Sequence, residues 1–267
     1  MKATTIKKQG FMQKLIRYKT LLFMLLPSAA LVIIFSYLPI GGLVMAFKRF
    51  NYADGIFGSP WVGLDNFRFF FESGKAFTVT RNTALYNLAF ILINTVLEIA
   101  FAIILSEMAG KWLKKITQSI IFLPYFISWV IVGSIAYSLL SYETGTLNGI
   151  LRAMGVDPIN FYGEAGWWPL IIVAFSAWKG VGYGVVVYLA SILGVDGSLH
   201  EAAAIDGANI FQRIRYITIP SITPTVITLT LLALGKIFRG NLDLFYQLVG
   251  QNGTLFDKTD VIDTYVF

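Results

Sequence analysis

The sequence has no cysteine and a single histidine, His200. The missing thiols exclude a disulfide framework, a thiolate zinc site and a thiol nucleophile. One histidine excludes a multi-histidine metal site, so we expect no metal centre in this chain. Charged residues are scarce as well, at 13% against about 25% in ordinary soluble domains. Because hydrophobic residues reach 56%, the composition excludes a disordered chain and argues against a soluble globular enzyme.

Signatures of catalysis are also missing. The sequence has no Walker A pattern, so we expect neither ATP binding nor ATP hydrolysis in this chain. A Ser-His-Asp triad would have to use His200, the only histidine. We therefore predict that the chain has no catalytic residues and is not an enzyme.

Long apolar stretches are what the sequence does contain, and a membrane-spanning helix needs about 20 mainly apolar residues. Five stretches meet this requirement: Leu21–Met45, Ala84–Leu105, Ser119–Leu140, Trp168–Leu193 and Pro220–Leu234. The first lacks the small-residue cleavage site that follows a signal peptide. Buried helices of a soluble protein are the alternative, but five such stretches are hard to bury in one chain. The sequence therefore predicts an all-α integral membrane protein with five spans.

Lysine and arginine near the ends of the spans predict the orientation, because cytoplasmic loops carry an excess of both. Basic residues cluster on three segments that would share one side: Lys2, Lys7, Lys8, Lys14, Arg17 and Lys19 in the tail, Lys111, Lys114 and Lys115 in one loop, and Arg213 and Arg215 in another. We expect these segments, including the N-terminus, to be cytoplasmic. The formal net charge of +6 then reports topology, and we predict no binding of nucleic acid.

The loop between the fourth and fifth spans is the most informative segment. Ser198 and Glu201 have the spacing of a capping box, which predicts that a helix begins there. Gly207 can adopt the left-handed conformation that ends a helix, and Asn209 with Gln212 predicts a second capping box before Pro220. A capped helix of this kind is either an amphipathic surface helix or a docking element for a cytoplasmic partner. In the same way, Glu201 either caps the helix or contacts a partner.

The same loop resembles the EAA motif of ABC-importer permeases, EAA-x3-G-x9-I-x-L-P. The matching residues are Glu201-Ala202-Ala203, Asp206-Gly207 and Ile217-Thr218-Ile219-Pro220. Ile219 stands where the family usually has leucine.

Other stretches resemble the polysaccharide-type sugar permeases called LplB-like, and the resemblance covers nearly the whole chain. These stretches are Ser36–Pro39, Ala46–Lys48, Gly58–Leu64, Arg81–Thr83, Leu123–Trp129 and Asp260–Phe267.

The resemblance implies the transmembrane domain of a type I ABC importer in a bacterial cytoplasmic (inner) membrane. A second permease, two ATPase subunits that hold ATP and Mg, and an extracytoplasmic solute-binding protein are the implied partners. Glu201, Ala202, Ala203, Asp206 and Gly207 would couple the permease to an ATPase. The chain itself would need no cofactor, and it would provide half of a pathway for an oligosaccharide.

We expect four segments in this arrangement. They are a basic cytoplasmic segment over residues 1–20, a permease domain over 21–267, and within it an extracytoplasmic loop over 47–83 and a coupling-helix loop over 194–219. The family normally has one more span, so the resemblance predicts a sixth span beyond residue 267.

Two ionisable residues lie inside predicted spans, where charge is expensive and indicates function. Lys179 would face the pathway and meet an anionic sugar such as a uronate; alternatively it extends toward the outer interface or pairs with Glu98. Close helix packing is the favoured role of Gly180, Gly182 and Gly184, with local unwinding as the alternative.

Aromatic residues lie close to these positions in the sequence. Pro124 is expected to kink the third span and to place Tyr125, Phe126 and Trp129 at a cavity, where aromatic faces suit sugar rings; packing against lipid or helices is the alternative. Tyr183 completes this set of pathway candidates. Trp167 and Trp168 are expected in the outer aromatic belt.

Three other functions compete with an ABC permease. An ion-coupled secondary transporter or channel would show repeated ionisable residues in its spans or an inverted repeat, and the spans contain only Glu98 and Lys179. An integral-membrane enzyme would show clustered acids or histidines at one interface. A purely structural subunit would not need its partners for transport.

Overall fold

The computed structural model describes residues 17–267. Most of the basic tail, from Lys2 to Lys14, lies outside the described residues. Over the described range the chain is helical and forms no strand, and the one isolated bridge joins Lys48 and Trp61. Chain contacts divide the protein into two units, of which one ends at Gly74 and the other comprises Lys75–Phe267.

The first unit consists of a long apolar helix and a folded loop. Helix α1 (Lys19–Phe47) contains a π-helical turn at Ile33–Tyr37 and a 3-10 segment at Leu38–Phe47. Two short helices follow, α2 (Gly55–Gly58) and α3 (Asp65–Glu72). The buried Lys48 amine donates hydrogen bonds to the carbonyls of Ile56, at 3.2 Å, and Phe57, at 2.7 Å. These bonds hold the loop after α1 closed.

The second unit contains ten further helices. They are α4 (Lys75–Glu107), α5 (Lys111–Phe126), α6 (Trp129–Leu140), α7 (Thr146–Ala153), α8 (Ala165–Leu193), α9 (Gly197–Ile205), α10 (Ile210–Leu234), α11 (Leu242–Val249), α12 (Phe256–Thr259) and α13 (Ile262–Val266). Helices α1, α4, α8 and α10 are each long and apolar enough to span a membrane, as four of the five predicted spans require.

The third predicted span, Ser119–Leu140, is not one straight helix. Helices α5 and α6 meet at an angle of 97°, and together they supply the fifth candidate span. Pro124 lies in a 3-10 turn immediately before the break, where it cannot donate a backbone hydrogen bond. Ser128 then caps the new helix, since its hydroxyl oxygen accepts from the Ile131 N–H at 3.4 Å. The predicted kink at Pro124 is present, but it is a break rather than a bend within a continuous span.

The fifth predicted span begins earlier than expected. The short helix that follows the Asn209 cap passes through a π-helical turn at Ile214–Thr218 and continues directly into the span. The helix that the capping box at Asn209 predicts is present, and the span begins at Ile210 instead of Pro220. Proline is tolerated at Pro220 because it stands in the first turn of the regular helix that begins at Ile219.

Two clusters of buried apolar side chains hold the second unit together. The first contains Val132, Ala136, Trp168, Ile172, Leu244 and Leu248, and it joins α6, α8 and α11. The second contains Ala102, Leu105, Val185, Tyr188, Leu189 and Ile222, and it joins α4, α8 and α10. Helix α8 belongs to both clusters and is therefore the central helix of this unit.

Trp168 corrects one expectation. It is fully buried in the first cluster, and its indole N–H donates to the Phe161 carbonyl at 2.8 Å. The placement of Trp168 in an outer aromatic belt is therefore wrong. The sequence does not distinguish a tryptophan buried inside the protein from one at the membrane interface, because tryptophan suits both places. Trp167 stays partly exposed and donates to Glu164 at 3.2 Å.

Candidate coupling helix and pathway site

Helix α9 is the short exposed helix of the loop between α8 and α10. Its N-cap is Asp196, whose carboxylate accepts from the Ser198 N–H at 3.0 Å. The predicted capping box of Ser198 and Glu201 is therefore wrong, because the helix begins one residue before Ser198. The hydrogen bond from the Ser198 backbone favours the ionised carboxylate and so lowers the pKa of Asp196.

The end of α9 is a tight turn at Gly207. This glycine has a φ of +80°, in the left-handed region that was predicted for it. The N–H of Gly207 donates to Ala204 at 3.1 Å, and that of Ala208 donates to Ala203 at 2.9 Å. This pair of bonds is the Schellman pattern. The predicted capping box of Asn209 and Gln212 follows directly, with reciprocal bonds of 2.9 and 2.8 Å.

The predicted coupling residues sit together on this capped helix. Glu201, Ala202 and Asp206 are exposed and Ala203 is half-buried. Within residues 17–267, Glu201 has no hydrogen-bonded or ion-paired partner. Its interpretation as a capping residue is therefore wrong, and contact with a partner stays a prediction.

Sequence reasoning missed the apolar residues around this helix. Ile205 is 86% exposed and Phe211 is 78% exposed, while Leu199 is half exposed. Helix α9 has no buried residue at all. Apolar side chains within an otherwise polar loop are the signal that could have identified them.

The second candidate site lies at the break between α5 and α6. Lys179 of α8 donates from its amine to the Tyr125 carbonyl at 2.9 Å. The amine also lies 5.6 Å from the ring centre of Tyr125 and 5.2 Å from that of Trp129. A carbonyl at a helix break has lost its partner in the helix, so it can accept this bond.

Exposed rings surround the lysine. Tyr183 stacks on Tyr125 with ring centres 5.4 Å apart, and Phe126 meets Tyr125 edge to face at 5.8 Å. Tyr183 is 57% exposed and Phe126 is 70% exposed. The structure thus brings together five of the six residues predicted for the pathway. A lysine with two further donors beside open aromatic faces can bind an anionic group carried on a ring.

Glu98, the sixth residue, lies elsewhere. It forms no ion pair with Lys179 among the described residues. Its carboxyl instead fills the space where a side chain on Gly184 would stand. One turn away, Asn94 faces Gly180. The alternative that Lys179 pairs with Glu98 is therefore wrong in this structure, and Glu98 packs between α4 and α8.

The three glycines of α8 allow close helix packing. The helix is regular from Trp168 to Leu193, so the alternative of local unwinding is wrong. A side chain on Gly182 would collide with the backbone of Ile121 and Phe122, at the end of α5. Gly182 therefore permits the approach that places Tyr125 against Tyr183.

Comparison with known proteins identifies transport proteins that are similar to this chain. Residues 98–255 match the family model described as the binding-protein-dependent transport system inner membrane component. Protein LplB of Bacillus subtilis (strain 168) is 33% identical over 264 residues, which is 99% of this chain and 82% of that protein. The polygalacturonan/rhamnogalacturonan transport system permease protein YteP of the same organism is 33% identical over 261 residues, covering 98% and 81%.

A solved structure shares the fold. The crystal structure of a bacterial alginate ABC transporter, in complex with an alginate pentasaccharide-bound periplasmic protein, matches with a TM-score of 0.85 and 32% identity. The match covers 97% of this chain and 85% of that chain. The all-α type I ABC importer fold predicted from the sequence is therefore confirmed.

Proposed function

Because the chain belongs to the binding-protein-dependent transport system inner membrane components, we propose that it is the permease subunit of an ATP-driven importer of acidic oligosaccharides. Membership makes it a multi-pass membrane transport protein. The acidic substrate rests on one observation, the Lys179 amine among open aromatic rings at the break between α5 and α6.

The chemistry of the Lys179 site suits a uronate unit. The Tyr125 ring already stacks with Phe122 and Tyr183, so the exposed parts of the Tyr183 and Phe126 rings are the surfaces available to the apolar face of a sugar. The ammonium group would pair with the sugar carboxylate, and charge-assisted hydrogen bonds are stronger than neutral ones. Two proteins similar to this chain are named for acidic polysaccharides, polygalacturonan/rhamnogalacturonan and alginate. Their substrates support the proposal.

Uptake by the assembled transporter tests this proposal. Lys179→Met keeps the length of the side chain and removes its charge, so we expect uptake of a uronate oligosaccharide to fall at least about tenfold, the loss of one charge-assisted bond. Uptake of a neutral oligosaccharide delivered by the same binding protein is expected to change little. Lys179→Arg is the matched control, and it should retain part of the acidic uptake. An equal loss for both sugars in Lys179→Met would contradict the acidic-substrate proposal.

The coupling function belongs to helix α9. We propose that it enters a groove of a cytoplasmic ATPase, which holds ATP and Mg, so that closure of the ATPases moves the permease as a rigid body. The exposed Glu201 and the small faces of Ala202 and Ala203 support this role. The exposed Ile205 adds apolar area to the contact. Rigid caps at both ends of the helix suit an element that transmits force.

Variants of α9 test coupling separately from substrate binding. Gly207→Pro and Glu201→Lys are expected to abolish sugar-stimulated ATP hydrolysis by the assembled complex, while binding of the loaded solute-binding protein persists. Pro at Gly207 cannot take its positive φ, and Glu201→Lys reverses the charge at the contact. The exposed Lys236→Gln, at the far end of α10, is the control. Unchanged uptake in both α9 variants would refute the coupling role.

The remaining partners and the orientation follow from the same proposal. A second permease would complete the pathway, and an extracytoplasmic binding protein would deliver the sugar from the side opposite α9. The N-terminus and α9 would both be cytoplasmic. No cofactor is proposed for the chain itself.

A further inference from the structure

A groove of about 480 Å³ lies between the first turns of α4 and the first turns of α8. Two cations line it, Arg81 of α4 and Lys258 of α12. The apolar side chains of Leu85, Ala89 and Val173 line it as well. None of the described residues that line the groove carries a carboxylate. The groove therefore combines positive charge with an apolar wall, and it is separate from both sites described above.

Hydrogen bonds hold the backbone of the segment that carries Lys258 against α4. The buried Asn82 amide donates to the carbonyls of Asp257, at 3.2 Å, and Asp260, at 3.0 Å. The Tyr86 hydroxyl donates to the Lys258 carbonyl at 2.9 Å. The segment that carries Lys258 is thus bound to α4 at positions directly after Arg81. The fold consequently holds the backbone positions of the two cations beside the same groove, and both side chains are exposed there.

Neither cation is neutralised within the described part of the chain. The Arg81 guanidinium donates to the Asn82 side-chain oxygen at 3.3 Å and lies 5.9 Å from the Phe77 ring centre, but it forms no salt bridge. Lys258 forms no salt bridge either. The adjacent Asp257 does not line the groove. An anionic group between the two cations would therefore meet uncompensated positive charge.

The length of α4 places these cations relative to the bilayer. Its 33 residues extend about 50 Å at 1.5 Å per residue, well beyond a hydrocarbon core of about 30 Å. The predicted span within this helix begins at Ala84. Arg81 therefore lies about one turn outside it, at the level of lipid headgroups. Leu85 and Ala89 follow one and two turns further in, at the level of the acyl chains.

We propose that this groove binds an anionic phospholipid. Its phosphate would lie between Arg81 and Lys258, and an acyl chain would follow Leu85, Ala89 and Val173 toward the middle of the membrane. An oligosaccharide could satisfy the cations but would leave its hydroxyl groups against an apolar wall, which is costly. A lipid suits both parts of the groove, since its phosphate matches the charge at the rim and its acyl chain matches the apolar wall below. This site is independent of the substrate proposed above.

Lipid binding to the purified transporter, with all its partner subunits, tests the site. Native mass spectrometry is used to titrate the complex with phosphatidylglycerol and, for comparison, with phosphatidylcholine. The double variant Arg81→Gln/Lys258→Gln is expected to bind phosphatidylglycerol about thirtyfold more weakly, because each lysine or arginine near an anionic lipid surface contributes about fivefold to the affinity. Binding of phosphatidylcholine is expected to change far less.

Two further variants make the result specific. Lys236→Gln/Arg239→Gln removes the same charge beyond the end of α10, away from the groove, and should leave phosphatidylglycerol binding unchanged. Ala89→Phe fills the space along the apolar wall and keeps both cations. It should therefore weaken the binding of phosphatidylglycerol but not the binding of a free acidic oligosaccharide. Equal lipid binding by wild type and Arg81→Gln/Lys258→Gln would overturn the proposal. So would an Ala89→Phe complex that assembles and binds phosphatidylglycerol normally.

Discussion

Lys179 and Glu98 are the two ionisable residues inside the apolar stretches, and they have different neighbours. Lys179 reaches the Tyr125 carbonyl across a helix break, whereas Glu98 packs against Gly184. The sequence indicated both residues by their cost in a membrane. It left open whether they pair, because pairing depends on the rotation of α4 and α8 about their axes. The packing of Gly184 against Glu98 sets that rotation.

Substitution of Gly182 tests, at a single residue, how closely α8 packs against α5. A side chain there would collide with the Ile121 and Phe122 backbone, which cannot move without shifting α5. Gly182→Ala is therefore expected to destabilise the complex by about 1–3 kcal/mol, the usual cost of overpacking. Gly180→Ala is the matched control, since its new methyl group would meet only the Asn94 side-chain nitrogen, at 3.8 Å. Thermal unfolding of the purified transporter should show a lower Tm for Gly182→Ala alone; equal Tm values would contradict the packing argument.

The ends of the helices show which structural features a pattern of residues predicts and which it does not. Gly207 and the pair Asn209 and Gln212 occupy the predicted positions, because a left-handed turn and a reciprocal cap depend on residues close in sequence. The spacing to Glu201 favours Ser198 as the N-cap of α9, whereas the true N-cap is Asp196, two residues earlier. Aspartate and serine are both good caps, so residue type does not correct the error that the spacing introduces. The sequence predicts a kink at Pro124 but not a full break between α5 and α6. A proline shows where a helix is interrupted, but it does not give the angle between the two parts.

The Asp196 cap can be tested against the cap that the sequence suggested. Asp196→Ala removes the acceptor for the Ser198 N–H, so amide hydrogen exchange in Gly197–Ile205 is expected to speed up severalfold. Ser198→Ala should change exchange far less, because the Ser198 side chain hydrogen-bonds the Asp196 carboxylate but is not itself the cap. The reverse order of effects would show that Ser198 caps the helix.

The same cap should depend on pH. Its folded-state pKa is lowered, so its stabilisation is fully present above the unfolded carboxyl pKa of about 4 and is lost as the pH falls through the folded value. The protection of the α9 amides, measured against the intrinsic exchange rate at each pH, should therefore decrease in acid for the wild type, whereas Asp196→Ala should lack this component of the acid response.

At the scale of the whole molecule, α8 organises the second unit. One end of α8 packs with α6 and α11, and the other packs with α4 and α10. Its exposed Tyr183 and its amine at Lys179 face the break in the third span. A single helix thus joins the two apolar clusters to the candidate pathway. It also leads directly into the loop that carries α9, which suits the transmission of motion between the two sites.

Membrane orientation can be measured because the chain has no cysteine. Glu143→Cys and Ser198→Cys each introduce one exposed thiol, on the loops before and after α8. The excess of lysine and arginine predicts that Ser198 is cytoplasmic. A membrane-impermeant maleimide should therefore label Glu143→Cys in intact cells (spheroplasts, if there is an outer membrane) and Ser198→Cys only after lysis. The opposite labelling pattern would invert the topology and place α9 away from any cytoplasmic ATPase.

The sequence by itself determined the class of protein, the apolar segments and the two segments with functional signatures. These depend on composition, on the length of apolar runs and on short-range spacing, all of which can be read along the chain. Only the tertiary structure decided that Lys179 meets Tyr125 and Trp129, that Trp168 is buried, and that Arg81 and Lys258 share a groove. The contacts of Lys179 depend on the 97° break and on glycine-mediated helix approach. Lys179 and Tyr125 are 54 residues apart in sequence, and packing brings them together, which no local pattern encodes.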